Sequence, residues 1–366
     1  RLESNGIGPS GQPAANPAGP LRVLTVSPGS PGQKVGLRPG DLIVGLDRKP
    51  PQSPGFTAAF QRLRPLQAGT IPAASLPPVG LTVRRSGRPE PFETSLELTE
   101  YHTESVFGVR RKVDGSWDYM LDPAARIGYV RLGGIRNWSA VEFRDALFSL
   151  RSSGVRGLLL DLRWCPGGML DEAIVIVRLF LPDELPRSKP VFWQCDKAGG
   201  RIPTSKPLVG QLLEGSVTDL PVLVLINSET SGGGELIAAA LQDHGRAVVA
   251  GQRTVGKASI QKELEMRDRG PEPRIPFKVT MSTFLRANGK NLQRFADSRW
   301  SDDWGVRPDD GRELPLTPEA GRRFKEWWTL QILRPPTDTE ALPLDDPEND
   351  PQRLAAVHML QEMMNQ

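Results

Sequence analysis

The sequence predicts an α/β chain in which a parallel sheet is covered by helices and preceded by a β-rich module. Three observations carry that prediction. Strand-like and helix-like segments alternate from residue 127 to 250 with short links, the pattern of a helix-wrapped parallel sheet. Residues 155–162 and 222–226 are near-continuous apolar runs, as strands buried on both faces are. Residues 6–100 hold short strands between Gly- and Pro-bearing turns.

Composition narrows the function classes. The chain has 366 residues, enough to bury most of its extended surface without a disulfide staple. Lys plus Arg number 46 and Asp plus Glu 43, so the formal charge of +3 argues against a bulk-charge grip on nucleic acid. Gly (37) and Pro (35) run high without a G-X-Y period, which makes the chain loop-rich rather than collagen-like. No apolar stretch reaches 18 residues. Cys165 and Cys195 are the only cysteines; one disulfide and two lone thiols are both open. His102, His244 and His358 are scattered, so no metal-ligand spacing exists and neither metal nor organic cofactor is expected. The chain opens with RLESNGIG, with no initiator methionine or signal peptide, and reads as a trimmed piece.

In the first module, residues 21–26 alternate as a strand, and Ser30-Pro31 starts a short helical turn that Gly36 closes in a left-handed conformation. Pro39-Gly40-Asp41 is a turn, 42–46 a strand, and 56–66 a helix with Phe56, Phe60 and Leu63 on one face. Residues 71–79 read as loop, and 81–85 with 92–98 as a hairpin around Ser86-Gly87-Arg88. The run VSPGSPGQKVGLRPGDLIVGLD, residues 26–47, resembles the core of a PDZ domain. The resemblance implies a groove that takes a peptide C-terminus as an added strand, with backbone N–H groups holding the carboxylate. Asn5, Gly6, Ile7 and Gly8 resemble the carboxylate-binding loop, although the Gly/Pro/Ala-rich stretch 6–20 is long for that position. The module is bounded at 6–100.

The second module spans 101–334, with 335–366 as a C-terminal tail and short helix. Residues 101–125 connect, with a strand at 106–113 and a turn at Asp114-Gly115. Residues 127–132 form a buried strand. Residues 139–150 form an amphipathic helix with Ser139 as N-cap and Val141, Ala146, Leu147 and Leu150 inward. Then follow a central strand at 155–162, a sharp turn at Pro166-Gly167-Gly168, a helix at 170–181, and strands at 191–194 and 222–226. A helix at 235–242 packs through Leu236, Ala239 and Ala240, and 247–250 is a strand. Residues 260–265 and 277–286 are strands of an antiparallel appendix, 315–334 a helix, and 354–364 a last helix. Trp300, Trp304, Trp327 and Trp328 are expected to pack rather than bind.

Three segments carry chemistry: DLRWCPGG at 161–168, NSETSGGGE at 227–235 and GQRTVGKASIQ at 251–261. With IGYVRL from 127 and GVRPD from 305 they resemble, in order, the motifs of the carboxyl-terminal processing proteases, a tail-specific serine protease family (peptidase family S41). Together with the PDZ-like run, the resemblance covers about two thirds of the chain. It implies a ClpP/crotonase-like α/β protease core that captures unstructured protein or peptide C-termini and cuts upstream. It also implies export to a periplasm or cell envelope. The family uses a Ser–Lys dyad with a Gln beside the Lys. A hydroxyl attacks only when a neutral amine takes its proton, and burial is what keeps a lysine neutral. Lys257 and Gln261 match that pair. Gly167, Gly168 and Gly233 match the oxyanion site, where backbone amides stabilise developing negative charge.

At the nucleophile the pattern breaks. The ungapped match from Glu235 to Lys257 puts the family serine at position 232, and position 232 is Gly. Three readings stay open: no peptidase nucleophile, Ser231 used in its place, or a serine exchanged for glycine by engineering. Asp161 and Arg163 read as a structural ion pair, and Cys165 as a buried, inert thiol. The functional expectation is therefore a Ser-Lys-Gln type endopeptidase family member inactive at 232. The alternative is a non-catalytic PDZ peptide-binding scaffold. Nucleic acid has no motif here, and nothing in the sequence sets the oligomeric state.

Overall fold

The computed structural model describes residues 2–4, 19–23, 26, 29–63, 77–99, 103–112, 114–182, 184–196, 198–207, 217, 219–266, 275–333 and 350–366. Asn5, Gly6, Ile7 and Gly8 lie outside the described residues. The chain divides into two compact units, Arg1–Thr103 with Thr329–Pro335, and Glu104–Trp328 with Pro336–Gln366.

In the first unit, side chains alternate between a packed and an open face, as a half-buried sheet requires. Five antiparallel strands run in the order β1 (Leu2–Ser4), β2 (Leu21–Val23), β3 (Leu42–Leu46), β4 (Val79–Arg84) and β5 (Phe92–Leu96). Leu21, Ile43, Leu46, Val79, Leu81 and Val83 form the core with Phe56 of the helix α2 (Pro54–Leu63). Ser30 caps the single turn α1 (Pro31–Lys34), its Oγ accepting the Gln33 N–H, and Gly36 is left-handed at φ 74°, as the sequence predicts. The buried Asp41 carboxylate closes the following turn. It accepts the Arg38 amide and both nitrogens of a bidentate Arg85 at 2.8 Å.

The second unit is built on β10 (Ile127–Leu132), β11 (Gly157–Asp161), β14 (Val222–Ile226) and β15 (Val248–Gly251), all parallel and adjacent in that order. Their residues point alternately to two apolar layers. Val130, Leu132, Leu158, Leu160, Val222, Val224, Ile226 and Val249 meet the helices α3 (Ser139–Ser152), α4 (Leu170–Arg178) and α5 (Gly233–Asp243). Ile127, Tyr129, Leu159, Leu223, Leu225 and Ala250 meet Phe324 and Trp328 of α6 (Pro318–Leu333) and Ala356 and Leu360 of α7 (Pro351–Met364). Both faces are covered, so the strands are apolar but for Arg131 and Asp161, which is why they were legible.

The expected ClpP/crotonase-like core is not what forms. The outer edge of β10 carries two antiparallel partners, β6 (Val106–Phe107) and β9 (Met120–Asp122). The chain leaves the parallel layer twice, between β11 and β14 and again after β15. β12 (Phe192–Cys195), β13 (Arg201–Thr204), β16 (Ser259–Met266) and β17 (Ile275–Arg286) pair in a separate antiparallel sheet, in the order β13-β12-β17-β16. Continuous apolar runs mark the buried parallel strands, whereas an edge strand of two or three residues has too little pattern to read. The single strand expected at 106–113 is likewise two short strands, β6 and β7 (Arg110–Arg111), the latter in a ribbon with β8 (Trp117–Asp118). They part at Gly108, where a Cβ would stand 2.3 Å from the Asp118 carbonyl oxygen.

Ser139 does not cap α3. The N-cap position falls to Trp138, left-handed at φ 75°, while the Ser139 hydroxyl accepts the Arg136 N–H and bonds Ser105 Oγ. The helix start is closed from α4 instead, where Glu172 accepts the Ala140 amide at 2.8 Å. Phe143, not Val141, takes the inward position.

Candidate active site

The loops that follow β11, β14 and β15 meet at the carboxyl ends of adjacent parallel strands, where α/β sheets place their crevice. These are the three motif segments of the sequence. Side-chain and backbone hydrogen bonds lock them together. Asn227 Oδ1 accepts the Trp164 amide, Thr230 Oγ1 donates to the Leu162 carbonyl, and the Thr230 carbonyl accepts the Val255 amide at 3.0 Å.

Gly232 is the corner between β14 and α5. Its φ of 54° and ψ of −115° are those of the first central residue of a type II′ turn, a place glycine favours. A Cβ added there would meet only ordinary contacts, the Pro166 oxygen at 3.7 Å and Gly167 Cα at 3.9 Å. Space for a side chain is present, and the conformation is the obstacle. A strained strand-to-helix turn of this kind is where a nucleophilic serine sits in elbow motifs. Ser231 is fixed one residue earlier. Its amide donates to the Cys165 carbonyl at 2.9 Å and its carbonyl accepts the Gly234 amide at 3.0 Å.

The 166–168 turn lies against this corner. A Cβ on Gly167 would stand 2.6 Å from the Gly233 nitrogen, and one on Gly168 would stand 1.8 Å from the Ile135 carbonyl oxygen, so neither position accepts a side chain. The Gly168 and Gly233 amides meet no acceptor among the described residues. Gly233 opens α5, at the positive end of its dipole. The Gly167 amide lies against the Cys165 sulfur. Burial pushes that thiol up to about 11, although the amide pulls the other way. Both cysteines are free thiols.

Glu235 joins the corner to the lysine segment. Its buried carboxylate accepts the Gly232 amide (2.9 Å) and the Lys257 amide (2.8 Å) on one oxygen. The other oxygen takes the Gly256 amide (2.6 Å) and the Thr254 hydroxyl. Four donors fill the four lone-pair sites a carboxylate offers. Burial raises its pKa, while those hydrogen bonds lower it; the net direction is upward. Lys257 and Gln261 come next along the chain, Lys257 just ahead of β16 and Gln261 on it, and both side chains are exposed.

Beneath the site, Arg163 forms a buried network. It pairs with Asp161 at 2.7 Å and Asp350 at 2.8 Å, and Tyr129 donates its hydroxyl to Asp161. Sequence reasoning anticipated the Asp161–Arg163 pair but not its third member. It also passed over Glu235 as a site residue. Glu235 sits three residues after the helix cap, the spacing at which a Glu reaches back to a cap amide, and that signal was available. Of the expected packing tryptophans, Trp304 and Trp328 are buried and Trp327 is partly so, but Trp300 is 73% exposed.

The model of peptidase family S41 matches residues 126–309, half of the chain, and a PDZ-domain model matches residues 22–60. The carboxyl-terminal-processing protease of Synechocystis sp. is 30% identical over 81% of this chain and 60% of its own. Carboxyl-terminal-processing peptidase 2, chloroplastic, of Arabidopsis thaliana is 31% identical over 72% and 47% respectively. The chain thus spans about half the length of such relatives. Among solved structures, a putative S41 protease from Bacteroides fragilis aligns with 98% of this chain and 81% of its own, with a TM-score of 0.48 and 16% identity. The tricorn protease aligns with 100% and 29%, at 0.42 and 13%. The family model over the parallel core is that of peptidase family S41, which replaces the ClpP/crotonase-like expectation for the core. The family model spans all three convergent loops together with the strands that carry them, and the chain therefore belongs to peptidase family S41.

Proposed function

We propose that this chain is a carboxyl-terminal processing protease of the S41 type that captures unstructured C-termini but does not cut them as given. The PDZ domain takes the free end of a peptide as an added strand. The protease unit offers the segment upstream a corner without a hydroxyl. The observation that carries this reading is Gly232 itself, the helix-capping residue whose amide shares one carboxylate oxygen with the Lys257 amide. A serine there would stand in the family's nucleophile position. Glycine has nothing to attack with. Gly168 and Gly233, with amides that meet no acceptor among the described residues, act in this reading as the oxyanion donors, and Gly167, whose amide turns to Cys165, shapes the turn between them. Lys257 is the base and Gln261 its orienting partner in the same reading. By family, the destination is a periplasm, cell envelope or plastid-like compartment; the Arabidopsis relative is called chloroplastic.

Ser231 as a substitute nucleophile is the second reading. Its amide and carbonyl are both engaged, so bringing its hydroxyl to the corner requires breaking the bond to Cys165. The test compares the protein as given, Gly232→Ser, and Gly232→Ser with Lys257→Ala on an unfolded protein substrate. The single change is expected to cleave and the double change is not. Cleavage by the unaltered protein that Ser231→Ala abolishes would overturn the proposal in favour of Ser231.

A further inference from the structure

A strap of residues 291–307 lies against the segment that carries Lys257. The Arg294 amide donates to the Gly256 carbonyl at 2.8 Å, and Gln293 Oε1 accepts the Ala258 amide at 3.0 Å. The peptide groups on both sides of Lys257 are thus tied to adjacent strap residues. The contact is tight, since a Cβ on Gly256 would stand 2.7 Å from Arg294 Cβ and 3.1 Å from the Trp304 ring.

Two arginines give the strap its shape from within. Arg253 donates to the carbonyls of Trp300, Asp302 and Trp304, and its guanidinium lies 3.3 Å from the Trp304 ring centroid and 5.1 Å from that of Trp300. Arg307 donates to the carbonyls of Trp300, Ser301 and Asp302. A third arginine, Arg294, stacks 4.5 Å over the Trp304 ring from the solvent side and is exposed. Burial, then the charges of Arg307 and Arg294, bring Arg253 down to about 10, while Asp303 and Asp302 pull it back up. Of the strap's carboxylates, Asp302 accepts the Arg299 amide and Asp303 pairs with Lys290 at 3.7 Å.

The outer surface is also apolar. Trp300 is 73% and Phe295 58% exposed, and Val255 on the lysine segment is 38% exposed. Large aromatic side chains held in a set shape beside arginine are the residue types that dominate peptide and protein interfaces. Held so by internal bonds, they already have the order that binding usually costs.

We infer that this surface reads the peptide beside Lys257, selecting segments in which an acidic side chain is followed by an apolar one. The carboxylate pairs with the Arg294 guanidinium, which presents a planar fork and carries no ion pair among the described residues. The apolar neighbour packs on Trp300 and Phe295. The inference rests on the reading that the protease unit receives the segment upstream of a captured C-terminus, and it adds a sequence preference that capture of a C-terminus does not supply.

The test uses the full chain and two fluorescein-labelled unstructured peptides with the same free C-terminus. One carries internal Glu-Leu repeats and the other Gln-Leu repeats. Anisotropy titrations are expected to show the Glu peptide binding roughly tenfold tighter, the size of one charge-assisted pair. Arg294→Gln brings the Glu peptide to the affinity of its Gln twin, while Arg294→Lys keeps part of the preference. Trp300→Ala weakens both peptides. Raising salt narrows the gap between them. Equal affinity for both peptides, or a preference that survives Arg294→Gln, overturns the inference and leaves peptide capture standing. If neither peptide binds, peptide capture fails and this inference falls with it.

Discussion

At the scale of single residues, Glu235 does most to assemble the site, because one buried carboxylate fixes the backbone of both the corner and the lysine segment. Glu235→Gln keeps the shape but turns an NH2 toward amide donors. Leaving buried donors unpaired costs about 1–3 kcal/mol. Urea unfolding is expected to show that loss, and on the Gly232→Ser background the same change is expected to slow cleavage. Gly232→Ser itself carries a conformational cost of about 1–3 kcal/mol, since a side chain is placed at positive φ. A serine variant as stable as the parent would show that the corner relaxes. Cys165 makes a third residue-level expectation. With its thiol at about 11, roughly one molecule in a thousand is ionised at pH 8. Iodoacetamide at that pH is expected to label the half-buried Cys195 in the native protein and Cys165 only after unfolding, read by mass spectrometry.

Among the elements, α7 is held by charge as well as by apolar packing. Asp350 caps its N-terminus by accepting the Arg353 amide and also pairs with the buried Arg163. Removing one partner of a buried ion pair costs about 3–5 kcal/mol, so Asp350→Ala is expected to lower stability by that order and to loosen α7. Hydrogen exchange at 351–364 reads the loosening directly. The same network has a pH signature. Burial raises the Asp161 pKa, but Arg163 and its hydrogen bonds outweigh it, and the folded value lies below the ordinary 3.8. A depressed carboxylate stabilises the fold above its unfolded pKa, and that contribution is lost as pH falls through the folded value. Stability is therefore expected to drop below about pH 4, where unfolded carboxylates protonate, and Asp161→Asn is expected to be less stable at neutral pH with a flatter acid limb. An unchanged acid limb in that variant would remove Asp161 from the account.

For the molecule as a whole, the two units divide as the sequence divides the motifs, the PDZ-domain match in one and the candidate site in the other, and the proposal gives capture to the first. Capture by a backbone nest discriminates by charge at the peptide end. A peptide with a free carboxylate is expected to bind at least tenfold tighter than its amidated twin, the energy of a charge-assisted bond. Equal affinity in a calorimetric titration would remove the PDZ unit from the proposal. The near-balanced charge, 46 basic against 43 acidic residues, leaves no global field to steer partners, so any preference for acidic segments has to arise locally, as at Arg294.

The sequence by itself determined the parallel strands, the order of the motif loops and the glycine at 232. Each of these is local. Residues 127–132 and 222–226 are apolar because both sheet faces are covered, and that requirement is written into consecutive residues. The tight turn at 166–168 was legible for the same reason, since only glycine fits where an added Cβ would stand 1.8 Å from a carbonyl oxygen. The tertiary structure alone decided the rest. The four donors on Glu235 come from positions 232, 254, 256 and 257, and no window of sequence shows that they converge. Asp350 reaches Arg163 across 187 residues, and the strap from 291 flanks a lysine more than thirty residues before it. Ser139 looked like a cap until Glu172 arrived from another helix. The exposure of Lys257 is of the same kind. Periodicity reports how a segment meets its own layer, whereas a buried polar group is satisfied by whatever donor the packing brings within 3 Å, and that partner is chosen only when the layers close.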